Sequence, residues 1–296
     1  MRIGLLGTGP WAHITQGPAL VEHPGVELVG VWGRRPEAAA ELAVALGTHP
    51  YDSPEALFAE CEAVAFALPP DVQAPLAVRA AAAGCHLLLD KPVATTVAGA
   101  RQVADAVAAH DRASVVFCTL RFAPETEAWV AAQSGTDGWL TGRADWFSPV
   151  FGGADTPYSQ SVWRQERGAL WDVGPHALSL LLPPLGDVAD LAAIRAIRGP
   201  GDLVHASLRH TTGATSTLTL SHTVPPQAAN VTAELRGAAG VSTLPERADG
   251  GAVRPFQRAV DALVEAAGGG PAHPCDAHFG LRVTEILAAI EAALDA

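Results

Sequence analysis

The sequence predicts an α/β protein of two domains. An N-terminal doubly wound parallel sheet occupies residues 1–120, and an α+β domain with a mostly antiparallel or mixed sheet occupies residues 121–296. Three observations carry this expectation. The first 120 residues alternate short apolar runs with Ala-rich helical stretches, as a parallel sheet covered on both faces requires. After Arg121 the rhythm changes to neighbouring strands joined by turn residues. At 296 residues the chain exceeds one ordinary core and suits two.

In the first domain the strands fall at Ile3–Leu6, Val26–Trp32, Ala63–Leu68, His86–Leu89 and Ser114–Thr119. Between them run helical patterns at Trp11–Val21, Pro36–Leu46, Pro54–Phe58, Val72–Ala83 and Val97–Ala109. The second domain opens with a helix at Glu125–Ala132 and a strand at Leu140–Phe147, then an irregular stretch to Gly168. A helix at His176–Leu182 precedes strands at Leu191–Ile197, Val204–His210, Thr215–Ser221, Val231–Arg236 and Val241–Leu244. Thr215, Thr217 and Thr219 alternate with Ser216, Leu218 and Leu220, the pattern of a sheet with one wet face. Helices at Phe256–Ala266 and Cys275–Leu294 close the chain, separated by Gly268-Gly269-Gly270-Pro271.

Composition excludes several classes of function. Hydrophobic residues at 49% against 17% charged describe a packed globular protein. A formal net charge of -12 argues against a nucleic-acid surface, which needs a basic stripe to collect phosphates. No apolar run approaches the length of a membrane span. Cys61, Cys85, Cys118 and Cys275 are scattered without a Cys-x-x-Cys pair, which suits a reducing compartment, and Met1-Arg2 leads straight into the first strand. The expectation is a soluble, cytoplasmic protein.

One compositional feature stands out. Of 19 basic Lys and Arg residues only one is lysine, Lys91, in Asp90-Lys91-Pro92. A guanidinium stays protonated under ordinary conditions, whereas a desolvated ammonium can give up its proton near neutral pH. A lone lysine among arginines therefore marks either a chance survivor on the surface or a place where arginine cannot serve. Asp90-Lys91-Pro92 ends a strand at the carboxyl edge of the parallel sheet, where ligands bind in such folds.

The same edge carries a dinucleotide signature. Gly7-Thr8-Gly9-Pro10-Trp11-Ala12 follows the first strand and opens the first helix. The first Gly permits the tight turn, the second lets the backbone approach a pyrophosphate, and Ala12 serves as the small residue for helix–strand packing. The helix N-terminus offers its dipole and free N–H groups to phosphate. At the end of the second strand, where NAD sites place an acidic residue, the chain reads Gly33-Arg34-Arg35-Pro36. Two guanidinium groups suit a 2′-phosphate, so NADP is expected, with NAD as the alternative; the bland reading is a solvated basic corner. Leu68-Pro69-Pro70, with Gln73 after it, ends the third strand, where the backbone would pass over the cofactor.

Far along the chain lies Gly168-Ala169-Leu170-Trp171-Asp172-Val173-Gly174-Pro175-His176. Asp172 and His176 are four apart and share a face if the helix starts by Asp172, and Pro175 fits only its first turn. Taken alone, this reads better as a helix-capping Asp172 with a His packed one turn later.

Together these segments resemble the Gfo/Idh/MocA family, the glucose-fructose oxidoreductase and inositol dehydrogenase group, over essentially the whole chain. Leu89-Asp90-Lys91-Pro92 looks like the family's Glu-Lys-Pro segment with Asp for Glu, and Gly168 to His176 matches its Gly-x-Leu-x-Asp-x-Gly-x-His pattern. The resemblance implies NAD(P)-dependent redox chemistry on a sugar or polyol, and a homo-dimer or homo-tetramer built through the open sheet. It implies His176 as proton donor or acceptor, Lys91 on the same substrate oxygen, Asp172 binding a neighbouring hydroxyl and orienting His176, and Asp90 fixing the segment of Lys91. Arg121, Trp163, Arg164 and Tyr158 are substrate-side candidates or mere packing groups. Gln73 departs from the His common in relatives, and the chain is shorter than many of them.

Two non-oxidoreductase readings compete, a nucleotide-dependent sensor of the same fold and an NAD-dependent glycosidase. Intact Lys91, Asp172 and His176 argue against the sensor. No metal is expected, because Asp172, His176, His205 and His210 lack compact ligand spacing.

Overall fold

The structure, a computed structural model, describes residues 1–246 and 251–294. The chain divides into two compact units, Met1–Phe122 with Asp249–Thr284, and Ala123–Ala248 with Glu285–Ala296. The sequence expectation gave everything after residue 120 to the second domain. The structure instead returns most of the C-terminal helical region to the first unit.

The first unit is a doubly wound α/β sheet, and the fold class expected from the sequence is borne out. Its strands are β1 (Arg2–Leu6), β2 (Glu27–Trp32), β3 (Ala63–Phe66), β4 (His86–Asp90) and β5 (Ser114–Phe117). All pair in parallel, in the order β2-β1-β3-β4-β5. The helices are α1 (Gly17–Glu22), α2 (Pro36–Leu46), α3 (Pro54–Phe58), α4 (Pro70–Ala82) and α5 (Val97–Ala109).

The continuous apolar strands resolve into two faces because successive side chains point to opposite sides. Val64, Phe66, Leu87, Leu89 and Val116 pack with Ala74, Ala77 and Ala81 of α4 and Ala100, Val103 and Val107 of α5. Ile3, Leu5, Ala63, Ala65, Leu88, Val115 and Phe117 form the other face, with Leu20 of α1 and Leu42 of α2. This second face is completed by a helix from the far end of the sequence.

Phe256, Ala259, Val260 and Leu263 of that helix join the same cluster and are fully buried. Their spacing of three and four residues lays one apolar stripe along it. Burying each large side chain is worth about 1.5–3 kcal/mol, enough to hold the segment to the sheet it covers.

In the second unit, α6 (Pro124–Ser134) and β6 (Trp139–Phe147) lead to α7 (Val162–Leu185). Then come β7 (Arg195–Arg198), β8 (Val204–Arg209), β9 (Thr215–Ser221), β10 (Asn230–Gly237) and β11 (Gly240–Thr243). The helix that returns to the first unit is α8 (Val253–Ala267), and α9 (Ala277–Leu294) ends the chain. The six strands order as β11-β10-β6-β9-β8-β7, and only β6 and β9 run in parallel.

One face of this sheet packs on α7. Gly142 lets the helix approach closely there, since a Cβ would lie 2.8 Å from Leu185 Cδ1. Ala144, Leu218, Leu220, Ala233 and Leu235 are buried. The opposite face carries Thr215, Thr217, Ser207 and Arg209, all exposed, as the alternation in β9 leads one to expect.

The helix expected at His176–Leu182 is much longer. α7 breaks at Gly168, whose φ of 66° is open to glycine at little cost, and the second half runs from Ala169. Pro175 therefore sits in the second turn, not the first. Gly174, just before it, lies close against Leu287, a Cβ at 174 falling only 2.7 Å from its Cδ2.

The unit also holds a pH-sensitive contact. His210 is buried, with Nδ1 2.7 Å from the Gly186 carbonyl and Nε2 2.7 Å from Ser216 Oγ. Burial lowers its pKa below the ordinary 6.5 despite the Gly186 carbonyl. A depressed folded-state pKa means the unfolded chain binds the extra proton first, so stability is full above about pH 6.5 and declines as pH falls below it. His86 shifts in the same direction, burial being the main cause. Urea midpoints are thus expected to fall between pH 7.5 and 5.5, and to fall less in His210→Asn; equal slopes in the two proteins would exclude His210 as a cause.

All four cysteines are free. Burial pushes the Cys61 thiol up to about 12 and the Cys85 thiol up to about 11, so neither is a ready nucleophile. No helix among the described residues is long and apolar enough to cross a membrane.

Candidate active site

At the carboxyl edge of the first unit, β1 ends in a turn that only glycine can make. Gly7 has φ 122°, and a Cβ there would fall 2.2 Å from the Ala67 carbonyl oxygen. Its N–H donates to the Trp32 carbonyl at 2.8 Å, drawing the end of β2 alongside. Gly33 packs on Thr8, whose Cγ2 a Cβ would meet at 2.6 Å. Gly9 is different, because a Cβ added to it meets nothing within 4 Å. That open space above a backbone turn is the cradle a pyrophosphate needs, and the residues fit a dinucleotide.

Pro10 and Trp11 begin the helix, Ala12 is buried against the strand, and Ala12–Gln16 winds as a π-helical turn before α1. Gly17 donates to the Ala12 carbonyl, five residues back, and Pro18 has no N–H with which to restore the ordinary spacing. Arg34 and Arg35 are exposed beyond β2, before Pro36 at the first position of α2. Leu68 and Pro69 are half-buried, and Pro70 starts α4.

Gln73, expected at the cofactor, has another place. It is fully buried. Its Oε1 accepts the Asp90 N–H at 2.8 Å, while Nε2 donates to the carbonyls of Asp90, Val93 and Pro92 at 2.8, 3.1 and 3.3 Å. An amide can accept and donate from two adjacent atoms, so Gln73 clasps the segment of Lys91 from α4. Asp90 adds a second hold, its Oδ1 accepting the Lys91 N–H at 2.8 Å. The Lys91-Pro92 peptide is cis and Lys91 itself is half-buried.

Arg121, expected on the substrate side, lies in the first unit at 7% exposure, hydrogen-bonded to the Cys275 thiol.

The second unit gathers the other expected residues. Asp172 and His176 sit one turn apart on α7, both buried. Asp172 Oδ2 accepts from Arg164 Nε at 2.8 Å and lies 3.0 Å from His222 Nε2. Arg164 also donates to Ser161 Oγ at 3.2 Å, and its guanidinium lies over the rings of Trp163 and Tyr158 at 4.6 and 4.9 Å. His176 stacks on Trp146, centroids 4.9 Å apart.

Sequence reasoning missed two residues here. Asp202 accepts the N–H of Ala169 at 3.2 Å, capping the helix after Gly168, and binds Ser221, His222 and Thr223 in turn. His222, which follows β9, is 1% exposed. Neither follows a spacing rule, since His222 is 50 residues from Asp172. The one signal was a His directly after an alternating strand. Among the described residues, no three His, Cys, Asp or Glu side chains come together as a metal site.

A glycine turn at the head of a parallel sheet, with open space above it, defines a dinucleotide-binding Rossmann protein. Residues 1–117 match the description "Oxidoreductase family, NAD-binding Rossmann fold" and belong to the Gfo/Idh/MocA family.

Among characterised relatives, the chain is 32% identical over 204 residues to a dTDP-3,4-didehydro-2,6-dideoxy-alpha-D-glucose 3-reductase of Streptomyces antibioticus, covering 67% of this chain and 60% of that protein. It is 35% identical over 92 residues to UDP-N-acetylglucosamine 3-dehydrogenase of Acidithiobacillus ferrooxidans, covering 31% of this chain and 28% of the relative. The chain thus spans less than two thirds of these relatives' length. In fold it is similar to GenD2 from gentamicin A biosynthesis in complex with NAD, with a TM-score of 0.85 and 20% identity, covering 100% of this chain and 94% of that one. It is likewise similar to WlbA dehydrogenase of Bordetella pertussis with NADH and UDP-GlcNAcA, with a TM-score of 0.84 and 21% identity over 100% of this chain and 96% of that one.

Proposed function

We propose that this protein is an NAD(P)-dependent oxidoreductase that interconverts a secondary alcohol and a ketone on a sugar, polyol or nucleotide-linked sugar. The observation that carries the reading is the Asp172 carboxylate on α7, held by Arg164 and His222 one turn from His176, in a chain whose N-terminal unit has the open Gly9 cradle. The substrate class is supported by the two nucleotide-sugar enzymes among its relatives.

A nicotinamide dinucleotide held at the Gly7–Ala12 turn would supply or take the hydride. What remains for the protein is to move a proton at the substrate oxygen and to hold the neighbouring hydroxyls. His176, stacked flat on Trp146, is a ring fixed in orientation and suited to proton exchange. Asp172 is the acceptor for a hydroxyl, and Lys91 is assigned the substrate oxygen. Trp163 and Tyr158 flank Arg164 and offer apolar faces of the kind on which sugar rings rest.

NADP is the assigned cofactor. Arg34 and Arg35 supply two exposed guanidinium groups beside the Gly33–Thr8 contact, and Gly33-Arg34-Arg35, between β2 and α2, holds no carboxylate to take ribose hydroxyls. Arg34→Ala/Arg35→Ala is expected to raise KM for NADPH by about 10- to 100-fold while barely changing that for NADH, each charge-assisted bond being worth about 1.5–3 kcal/mol. Steady-state titration of both cofactors checks this, and an equal loss for both would remove the assignment.

A homo-oligomer through the open face of the second sheet is also part of the reading. Ile197 and Val241 are 66% and 54% exposed on the edge strands of a face otherwise lined with polar and charged residues, Thr217, Arg143, Asp145 and Glu234 among them. Free thiols suit a reducing cytoplasm. The deciding experiment is a panel of sugars, polyols and nucleotide sugars with NADP and NAD, followed by nicotinamide absorbance. Tight cofactor binding without turnover on any member would move the reading to a sensor.

A further inference from the structure

We infer that His222 is a positioning residue for the proposed reaction: as the Nε2–H tautomer it fixes the rotation of the Asp172 carboxylate, so that this acceptor meets a substrate hydroxyl in one attitude. The inference rests on the functional reading above and deepens it.

The backbone of His222 is held on both sides. Its N–H faces both Asp202 carboxylate oxygens, at 2.9 and 3.0 Å, and its carbonyl accepts the Phe151 N–H at 2.8 Å. Asp202 also binds Ser221 Oγ, Thr223 N and Thr223 Oγ1 at 2.8, 3.2 and 3.0 Å. The same carboxylate caps the half of α7 that carries Asp172. The imidazole and the carboxylate it meets are therefore tied to one anchor, which sets the 3.0 Å distance between them.

The two ring nitrogens differ in surroundings. Nε2 faces Asp172 Oδ2. Nδ1 is buried with no partner among the described residues, and the Phe151 ring stands edge-on at 5.9 Å. A proton on Nδ1 would be a buried donor without an acceptor, while a proton on Nε2 meets a carboxylate. The ring thus carries its proton on Nε2 and donates.

Two donors converging on one oxygen leave the carboxylate little freedom to turn about its last bond. Arg164 alone would hold it less well, because that side chain is 20% exposed and shares its guanidinium with Ser161. A hydroxyl acceptor displaced by even about 1 Å can cost roughly 100-fold in rate.

The test uses the full-length protein with the best substrate from the panel and three variants. His222→Gln keeps an N–H donor near the Nε2 position, His222→Asn moves it to the Nδ1 side, and His222→Leu removes it. His222→Leu and His222→Asn are expected to lower kcat/KM by about 10- to 100-fold, with His222→Gln recovering most of the loss. NADPH affinity, read by fluorescence, stays at the wild-type value in all three. Long-range 1H–15N spectra of histidine-labelled protein should show, for the signal that His222→Gln abolishes, a protonated Nε2 and a bare Nδ1.

Wild-type kcat/KM in His222→Leu overturns the inference. So does equal activity of the Gln and Asn variants, or a protonated Nδ1. If His222→Leu fails to fold by circular dichroism, the Gln–Asn pair decides. A wild-type protein that turns over no substrate of the panel overturns the functional reading, and this assignment with it.

Discussion

Lys91→Arg is expected to lower turnover by about 10²- to 10⁴-fold, the range of a positioned acid or base, while cofactor affinity and fold stay near wild type. The substitution keeps positive charge and most of the length, so it separates charge from proton exchange. An arginine holds its proton throughout, and its planar fork cannot present the single point charge of an ammonium. The segment itself should tolerate the change. Its backbone is held by Gln73 from α4 and by the Asp90 side chain. Steady-state kinetics beside a fluorescence titration of NADPH checks both halves of this result. Near-normal turnover in Lys91→Arg would remove the proton role, leaving Lys91 as a charge alone.

Asp172→Ala is expected to destabilise the protein by about 3–5 kcal/mol, the cost of breaking a buried ion pair from one side. The mutation leaves the Arg164 guanidinium and the His222 ring without their common acceptor, with side chains only 20% and 1% exposed. Loss of the carboxylate therefore costs much more than its own hydrogen bonds are worth. Asp172→Asn should fall between, because an amide oxygen still accepts but carries no charge to answer Arg164. Urea unfolding followed by circular dichroism measures the difference. A loss below about 1 kcal/mol would show that solvent screens the pair, as it does on open surfaces.

How far the sequence could be read depends on the range of the interactions involved. The doubly wound sheet was legible because covering both faces forces continuous apolar strands, and β1 to β5 fall where those runs lie. The Gly7 turn was legible because its constraint is local, a positive φ and a close carbonyl. Asp172 and His176 were legible as a pair because a helix repeats every four residues.

The remainder required contacts that sequence spacing does not encode. Nothing local to Phe256–Leu263 states that its apolar stripe covers the sheet that begins with Ile3. Gln73 is expected on the cofactor side because the resemblance aligns it with a His common in relatives, yet its amide is spent on the backbone of residues 90–93. Pro175 alone points to a helix start just before it, whereas the second half of α7 is already in its second turn there. The actual boundary was set by Gly168 and the distant cap of Asp202.

The break at Gly168 has a consequence for how such a protein can diversify. In an unbroken helix eight residues span about 12 Å along the axis, too far for Arg164 and Asp172 to meet comfortably. The glycine uncouples the two halves, so Val162 to Arg167 form a short panel beside a fixed floor. Substitutions in that panel can change which ligand shapes are admitted while Asp172 and His176 keep their helical register. Selection for a new substrate and retention of the old chemistry then act on separate pieces of backbone, joined at one residue.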